Sequence, residues 1–244
     1  MNKPLFLRQS VSDSIELLRM MEPKEGYYLA FSGGNDSVVI YRLAEMAGVK
    51  FDAHYNVTTV DHPELIRFIR STYPTVIPER AKDTMWTLIP KRLMPPTRLV
   101  RYCCEVLKEG GGEGRVVVMG IRWAESARRR KAWKVIEPCS KKGTVKVNPI
   151  LYWTDDEVWG FIRAENVPYC SLYDQGYKRL GCIGCPMSYN KKKELEAYPK
   201  YKAAYLRAFG RMIEERKKRG LDKGAEGHAL WDTPEHVMEW WLSR

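Results

Sequence analysis

The stretch GYYLAFSGGNDSVVIYRLAEMAG, residues 26–48, constrains the fold more than any other part of the chain. GYYLAFS (26–32) is a compact apolar run that predicts a buried strand. DSVVIYRLAEMAG (36–48) predicts a helix and ends at Gly48, a residue suited to closing a helix in the left-handed conformation. Only a glycine-rich link separates the two. The pattern recurs. KFDAHYNVTT (50–59) predicts a second strand, HPELIRFIRSTYP (62–74) a helix with Pro63 in its first turn, and RVVVMGIR (115–122) a third strand. Strands alternating with helices imply a parallel sheet covered on both faces. In such sheets ligands sit at the carboxyl ends of the strands. The loops 32–37, 58–62 and 120–130 each follow a strand, so they are expected to converge on one site.

Elsewhere the signals are more local. Residues 9–21 read as a short amphipathic helix. Residues 75–114 hold Pro90, Pro95 and Pro96, and within them only RYCCEVLKEGGGEG suggests a short helix. Thr154 and Glu157 form a capping box that opens a helix. Residues 191–219 read as a long basic helical segment. In the tail, Thr233 is the expected N-cap and Pro234 lies in the first turn. The 244 residues suit one α/β nucleotide-binding domain over 1–190, with a basic helical extension over 191–244 packed on it.

Net charge is +11, unevenly spread: residues 115–146 carry +8 and residues 191–219 carry +7. Such patches suit an anionic partner, a nucleotide, a sulfate or a nucleic acid; a solvated helix face is the plainer reading. No apolar run approaches the ~18 residues needed to span a bilayer. The opening residues MNKPLFLRQSVSDSIELL are interrupted by Arg8, Gln9, Ser10 and Asp13, unlike a secretory signal. The chain is therefore expected in the cytoplasm, with no membrane partner, where six cysteines favour metal binding or catalysis over disulfides.

In FSGGNDS (31–37) two glycines allow a tight turn with N–H groups close to an anion, and the following helix adds partial positive charge. Ser32 and Ser37 add hydroxyls. The alternative is a plain strand-to-helix turn with a serine cap. The cysteines offer a second constellation. Cys103-Cys104 are adjacent, and Cys182 and Cys185 form a CxxC pair. Two pairs suffice for four-thiolate coordination, which zinc and a [4Fe–4S] cluster both accept. Adjacent cysteines on a helix diverge, which fits a multi-iron cube better than a single ion; zinc and metal-free thiols remain open. Gly181 and Gly184 would let the chain wrap such a cofactor and offer it free N–H groups.

SGGNDS resembles the SGGxDS loop of the adenine nucleotide alpha hydrolase, or PP-loop, superfamily. Asn35 stands where the reductases of that superfamily usually carry Lys. GIRWAESARRR (120–130) is similar to the GxRxxxSxxR stretch of the phosphoadenylyl sulfate (PAPS) reductase family. NPILYWTDDEVWGFIRAENVPYCSLYDQGYKRLGC (148–182) is similar to a longer motif of the same family. The resemblance implies a parallel-sheet, three-layer PP-loop fold with a helical C-terminal extension. It implies an adenine nucleotide (ATP, adenylyl sulfate or PAPS), with Mg²⁺ accompanying ATP, held by Ser32, Gly33, Gly34, Asp36, Ser37, Asp61, Arg122, Ser126 and Arg129. Asp36 and Arg122 would serve catalysis. Cys103, Cys104, Cys182 and Cys185 match the [4Fe–4S] ligand set of adenylyl sulfate (APS) reductases. Cys139 and Cys170 fall outside that set.

The same resemblance leaves the reaction open. Reductases attack sulfur with a cysteine near the C-terminus, yet no cysteine follows Cys185 here. Cys139 could stand in only if its loop reaches the nucleotide. The expected activity is therefore adenylation-linked sulfur transfer, with a sulfur or electron donor protein as partner and a nucleic acid as a candidate acceptor that Trp123, Trp133 and Tyr189 would suit. Reduction of APS or PAPS to sulfite is the alternative, and a non-catalytic nucleotide- and cluster-binding subunit a further one.

Overall fold

The computed structural model describes residues 10–139, 143–221 and 231–243, without the Cys139 side chain. The opening nonapeptide and any reach of the Cys139 thiol lie outside the described residues. The chain divides into two compact units that interleave along the sequence. The first comprises the chain up to Asn56, Pro63–Glu79 and Gly111–Leu180; the second comprises Val57–His62, Arg80–Gly110 and the chain from Gly181 onward. The second unit thus draws on segments before residue 190 as well as on the basic extension.

The first unit is built on a six-stranded sheet. Its strands are β1 (Tyr27–Ala30), β2 (Phe51–Val57), β3 (Ile77–Arg80), β4 (Val116–Val118), β5 (Ile136–Cys139) and β6 (Thr144–Val147), in the order β3-β2-β1-β4-β6-β5. β1 runs parallel to β2 and β4, and β4 parallel to β6; β5 pairs antiparallel with β6 at one edge. The helices of this unit are α1 (Val11–Met20), α2 (Asn35–Ala47), α3 (Pro63–Thr72), α6 (Ala127–Ala132) and α7 (Asp155–Ala164). This is the expected α/β class. α1 carries a Ser10–Asp13 capping box, and α7 the Thr154–Glu157 box read from the sequence. Gly48 closes α2 at φ +70°. The basic stretch after β4 is more ordered than a loop: a short 3-10 turn, Trp123–Glu125, leads into α6.

The second unit is helical: α4 (Met85–Arg92), α5 (Tyr102–Leu107), α8 (Lys191–Ala197), α9 (Pro199–Lys218) and α10 (Pro234–Ser243). Its core joins Leu88, Ile89, Phe209, Met212, Val237 and Trp241. The long basic segment breaks at Tyr198, where Pro199 starts α9 at a position that needs no intrahelical donor. α4 runs through Pro90, a residue that reads as a breaker. The proline cannot donate to the carbonyl four residues back, and Arg211 fills the gap by donating from Nη2 to Trp86 O at 2.9 Å. Thr233 caps α10 by accepting from the His236 N–H at 3.2 Å. No helix among the described residues is long and apolar enough to cross a membrane.

Two glycines are dictated by the fold. Gly33 has φ +72°, and a Cβ there would stand 2.6 Å from Leu65 Cδ1 and 2.9 Å from Ile69 Cδ1 on α3. Gly184, at φ +71°, would bring a Cβ to 3.0 Å from the Trp241 ring. Gly33→Ala should destabilise the protein by about 1–3 kcal/mol through overpacking and left-handed strain, read as a lower denaturant midpoint. An unchanged midpoint would show that α3 yields freely.

Candidate functional site

In the first unit the turn from β1 into α2 exposes a row of backbone donors. Gly34 is the N-cap of α2, with no side chain of its own to satisfy the first amides. Those amides donate to neutral side-chain oxygens instead. Gly34 N–H donates to Ser32 Oγ (3.4 Å), Asn35 N–H to Tyr173 Oη (2.8 Å) and Asp36 N–H to Asn35 Oδ1 (3.0 Å). The Tyr173 hydroxyl in turn donates to Asn35 Oδ1 at 3.1 Å. Ser37 is buried, and its hydroxyl donates to Gly34 O at 2.8 Å, bracing the turn. Consecutive amides at a helix N-terminus, held by exchangeable neutral partners, suit a phosphate or sulfate.

Beside this turn Arg122, only 3% exposed, lies between two carboxylates. Its Nε donates to Asp36 Oδ1 and its Nη2 to Asp155 Oδ1, both at 2.7 Å, and its Nη1 reaches Trp153 O at 3.3 Å. Gly120 makes this approach feasible, since a Cβ there would meet Asp36 Cβ at 3.0 Å. Glu125 accepts from the Arg122 N–H, pairs with Arg129 and faces Arg179 Nη2 at 3.5 Å. The Ser126 hydroxyl accepts from Arg129 N–H and caps α6. The loops 32–37 and 120–130 therefore meet, and they bring together Asp36, Arg122 and Arg129. Arg122 reaches Asp36 and Asp155 rather than standing with an open guanidinium fork, and Ser126 acts as a cap. Tyr173, Asp155 and Glu125 complete the cluster. The first lies in the SLYDQGY segment, the second opens α7 after its Thr154 cap and the third closes a capping box with Arg122, so sequence offers roles in local structure but not their partners across the unit.

Burial raises the Asp36 carboxyl to about 6, against the opposing charge and hydrogen bond of Arg122. The Asp36 and Asp155 carboxylates hold Arg122 above its ordinary value despite burial, so the pair is ionised at neutral pH. Because the folded-state value of Asp36 exceeds the 3.8 of the unfolded group, its contribution to stability is complete below pH 3.8 and is lost as pH rises through about 6.

The second unit assembles the cysteines. Cys103 and Cys104 occupy the first turn of α5, Cys103 in the core and Cys104 half-buried. Cys182 forms an isolated antiparallel bridge with Asp61, and Ile183 N–H donates to Val60 O at 2.8 Å. Cys185 N–H donates to Cys182 O at 3.1 Å, closing the CxxC turn. The Cys182 thiol lies 3.5 Å from Thr58 Oγ1, and Asp61 Oδ2 accepts from Thr58 N–H at 2.9 Å. Asp61 thus buttresses the cysteine site within this unit. Cys103 feels the other three thiols: Cys104, burial, Cys182 and Cys185 all raise it, while the hydrogen bond from Cys103, then Lys108 and Arg101, lowers Cys104. Cys182, Asp61 and Cys104 together hold Lys108 above its ordinary value. Among the described residues no three His, Cys, Asp or Glu side chains close around a single metal ion. Gly184 corrects one expectation: its N–H is not free, because it donates to Glu194 Oε2 at 3.1 Å. Cys170 is fully buried in the first unit.

The Asp36 carboxyl should titrate near pH 6 by carbon-detected NMR, and Arg122→Gln should move the midpoint higher still, since the cation opposes the rise. A midpoint near the ordinary aspartate value would contradict the burial of the carboxyl, which is what raises it.

Comparison with known proteins agrees with this geometry. The phosphoadenosine phosphosulfate reductase domain family matches residues 26–188. A Methanocaldococcus jannaschii protein, MJ0066, is 28% identical over 176 residues, covering 67% of this chain and 36% of its own length. The adenosine 5'-phosphosulfate reductase of Staphylococcus epidermidis is 38% identical over 88 residues, 34% of this chain and 36% of that protein. The chain thus spans about a third of the length of these two relatives. The crystal structure of phosphoadenylyl-sulfate (PAPS) reductase from Candida auris, a phosphate complex, superposes with a TM-score of 0.54 at 20% identity, covering 73% of this chain and 90% of that one. Candida glabrata FMN adenylyltransferase shares the fold at a TM-score of 0.52 and 16% identity, covering 80% and 77%. With the match extending from the start of β1 through the CxxC turn, the chain belongs to the phosphoadenosine phosphosulfate reductase family.

Proposed function

We propose that this family member binds ATP on the Gly33–Ser37 turn and uses it for adenylation-linked sulfur transfer. The observation that carries this reading is the row of amides at the start of α2, set beside the Asp36–Arg122 pair. The amides and the helix N-terminus receive phosphate oxygens, while Arg122, itself paired with Asp36 and Asp155, fixes the turn beside them. The Asp36 carboxylate, charged at neutral pH and located in the first turn of α2, is the group to hold a divalent ion that accompanies the triphosphate. An acceptor attacks the α-phosphorus and releases pyrophosphate, and a sulfur donor then displaces AMP. Preorganised donors around the phosphates stabilise the charge that develops.

Cys103, Cys104, Cys182 and Cys185 are the residues to hold a [4Fe–4S] cluster. Their chemistry fits: four thiols gathered in one unit, with a lysine and backbone turns around them. Such a cluster supplies electron-transfer chemistry when bound.

The names of the APS reductase relatives favour a second reading, reduction of a sulfonucleotide to sulfite. That reaction requires a thiol that attacks sulfur. Outside the four-cysteine set this chain has Cys170, which is fully buried, and Cys139. An external thiol would serve equally.

Calorimetry of cluster-loaded protein with ATP, APS and PAPS, followed by assay of pyrophosphate and sulfite, separates the readings. ATP should bind and yield pyrophosphate with an acceptor; preference for a sulfonucleotide with sulfite as product would replace transfer by reduction. A chain that binds ATP but turns over nothing would point to a non-catalytic subunit. Anaerobically purified protein should be brown and contain iron and sulfide, and Cys182→Ser should lose most of both. Unchanged iron in that variant would overturn the ligand assignment.

A further inference from the structure

The exposed surface next to the cysteines is not absorbed by nucleotide or cluster. Two loops of the second unit form it, residues 93–101 before α5 and residues 186–190 before α8. Leu99 is 95% exposed and Tyr189 is 89% exposed; Val100 and Met187 are also exposed. Side chains this apolar are costly to leave in water unless a partner covers them. The loops are joined at their tips. The Arg98 guanidinium lies 5.0 Å over the Tyr189 ring, and its Nη2 donates to Tyr189 Oη at 3.4 Å. They are also joined at their bases. Trp241 Nε1 donates to Pro96 O at 2.7 Å, while Lys191 Nζ donates to Trp241 O at 2.6 Å. One buried tryptophan on α10 therefore anchors both loops. A turn from Thr97 to Val100, bonded in both directions at 3.0 Å, stiffens the first loop. Asn190 N–H, bonded to Ser188 Oγ at 3.1 Å, stiffens the second.

The charge of this platform has one sign. Residues 93–104 and 181–193 contain Arg98, Arg101, Lys191, Lys192 and Lys193 and no acidic residue. Lys191 is buried, whereas the other four cations are exposed. Glu105, exposed at the edge of the platform, follows Cys104, and Glu194, which follows Lys193, has both oxygens engaged, by Gly184 N–H and by the Ser188 hydroxyl. The platform borders the cysteines directly. Cys104 N–H donates to Arg101 O at 2.9 Å and Ser188 N–H to Cys185 O at 2.8 Å.

We infer that the Arg98–Tyr189 platform docks a single-stranded nucleic acid, with a base stacked on the Tyr189 ring and phosphates neutralised by Arg98, Arg101, Lys192 and Lys193. An exposed aromatic ring with a cation over one face and further cations on the same loops is what unpaired bases and their backbone require, and a rigidly anchored platform loses little entropy on binding. The inference deepens the transfer reading by naming the acceptor class, and rests on that reading only for its chemistry, since docking is measurable without turnover.

The test is fluorescence anisotropy of the whole cluster-loaded chain with a labelled mixed-sequence single-stranded oligonucleotide across a salt series. Tyr189→Ala should weaken binding about tenfold, the loss of one stacked base, and Tyr189→Trp should retain it. Arg98→Ala should weaken binding and flatten the salt dependence. The denaturant midpoint should be unchanged in all three, which certifies the fold of both units. The inference is overturned if the oligonucleotide does not bind at low salt, or if Tyr189→Ala binds like wild type. It is likewise overturned if polyglutamate binds as tightly as the oligonucleotide without dependence on Tyr189, which marks an acidic protein as the partner. Oligonucleotide binding that needs Tyr189, in a chain that releases no pyrophosphate, supports the docking surface and sinks sulfur transfer.

Discussion

The first unit depends on the burial of Arg122 between Asp36 and Asp155. A guanidinium taken out of water demands pairing, and removing Asp36, the partner buried with it, would cost about 3–5 kcal/mol, whereas the largely exposed Asp155 holds it more weakly. The cost becomes an organising force here. One side chain links the segment after β4 to the first turn of α2 and to the first turn of α7, so the three cannot shift independently. The α2 turn is where the Gly34, Asn35 and Asp36 amides are presented. Its geometry is thus set from below by Leu65 and Ile69 packing on Gly33, and from the side by Arg122.

The ion pair also tunes the chemistry. Asp36 titrates near 6 because burial outweighs Arg122. It is charged where the protein works at neutral pH, yet only by a modest margin. Any negative charge brought beside it would push that value higher, and a cation would push it lower. The second unit uses a different device. Cys182 is held by backbone pairing to the segment 58–62 and Cys103 by burial in a helical core, while Cys185 follows on the turn that Cys182 opens. Trp241 extends this rigidity outward, because the same residue that fills the core also fastens the Arg98 and Tyr189 loops.

Much of the fold was legible where the signals are short in range. The apolar run before Gly33, the Thr154–Glu157 box, Gly48 and Thr233 all act within four residues, and each is found where the sequence places it. β3 was not legible, being a short and largely exposed edge strand with no apolar run. α4 was obscured by Pro90, whose missing donor is replaced by Arg211, 125 residues away. The free Gly184 amide was misjudged because Glu194 lies beyond the motif that suggested it.

The sequence by itself determined the alternation of strands and helices, the glycine turn that opens α2, and the presence of four thiols in two pairs. These follow from periodicity, capping and backbone conformation, which neighbouring residues impose on one another. Only the tertiary structure decided what those groups meet. Arg122 finds Asp36 across 86 residues and Asp155 across 33, Asp61 joins the cysteines, and Tyr189 stands under Arg98 as part of one basic platform. Such pairings depend on how distant segments are brought together and on which charges must be neutralised once water is excluded. No local pattern encodes that exclusion, because burial is a property of the assembled chain.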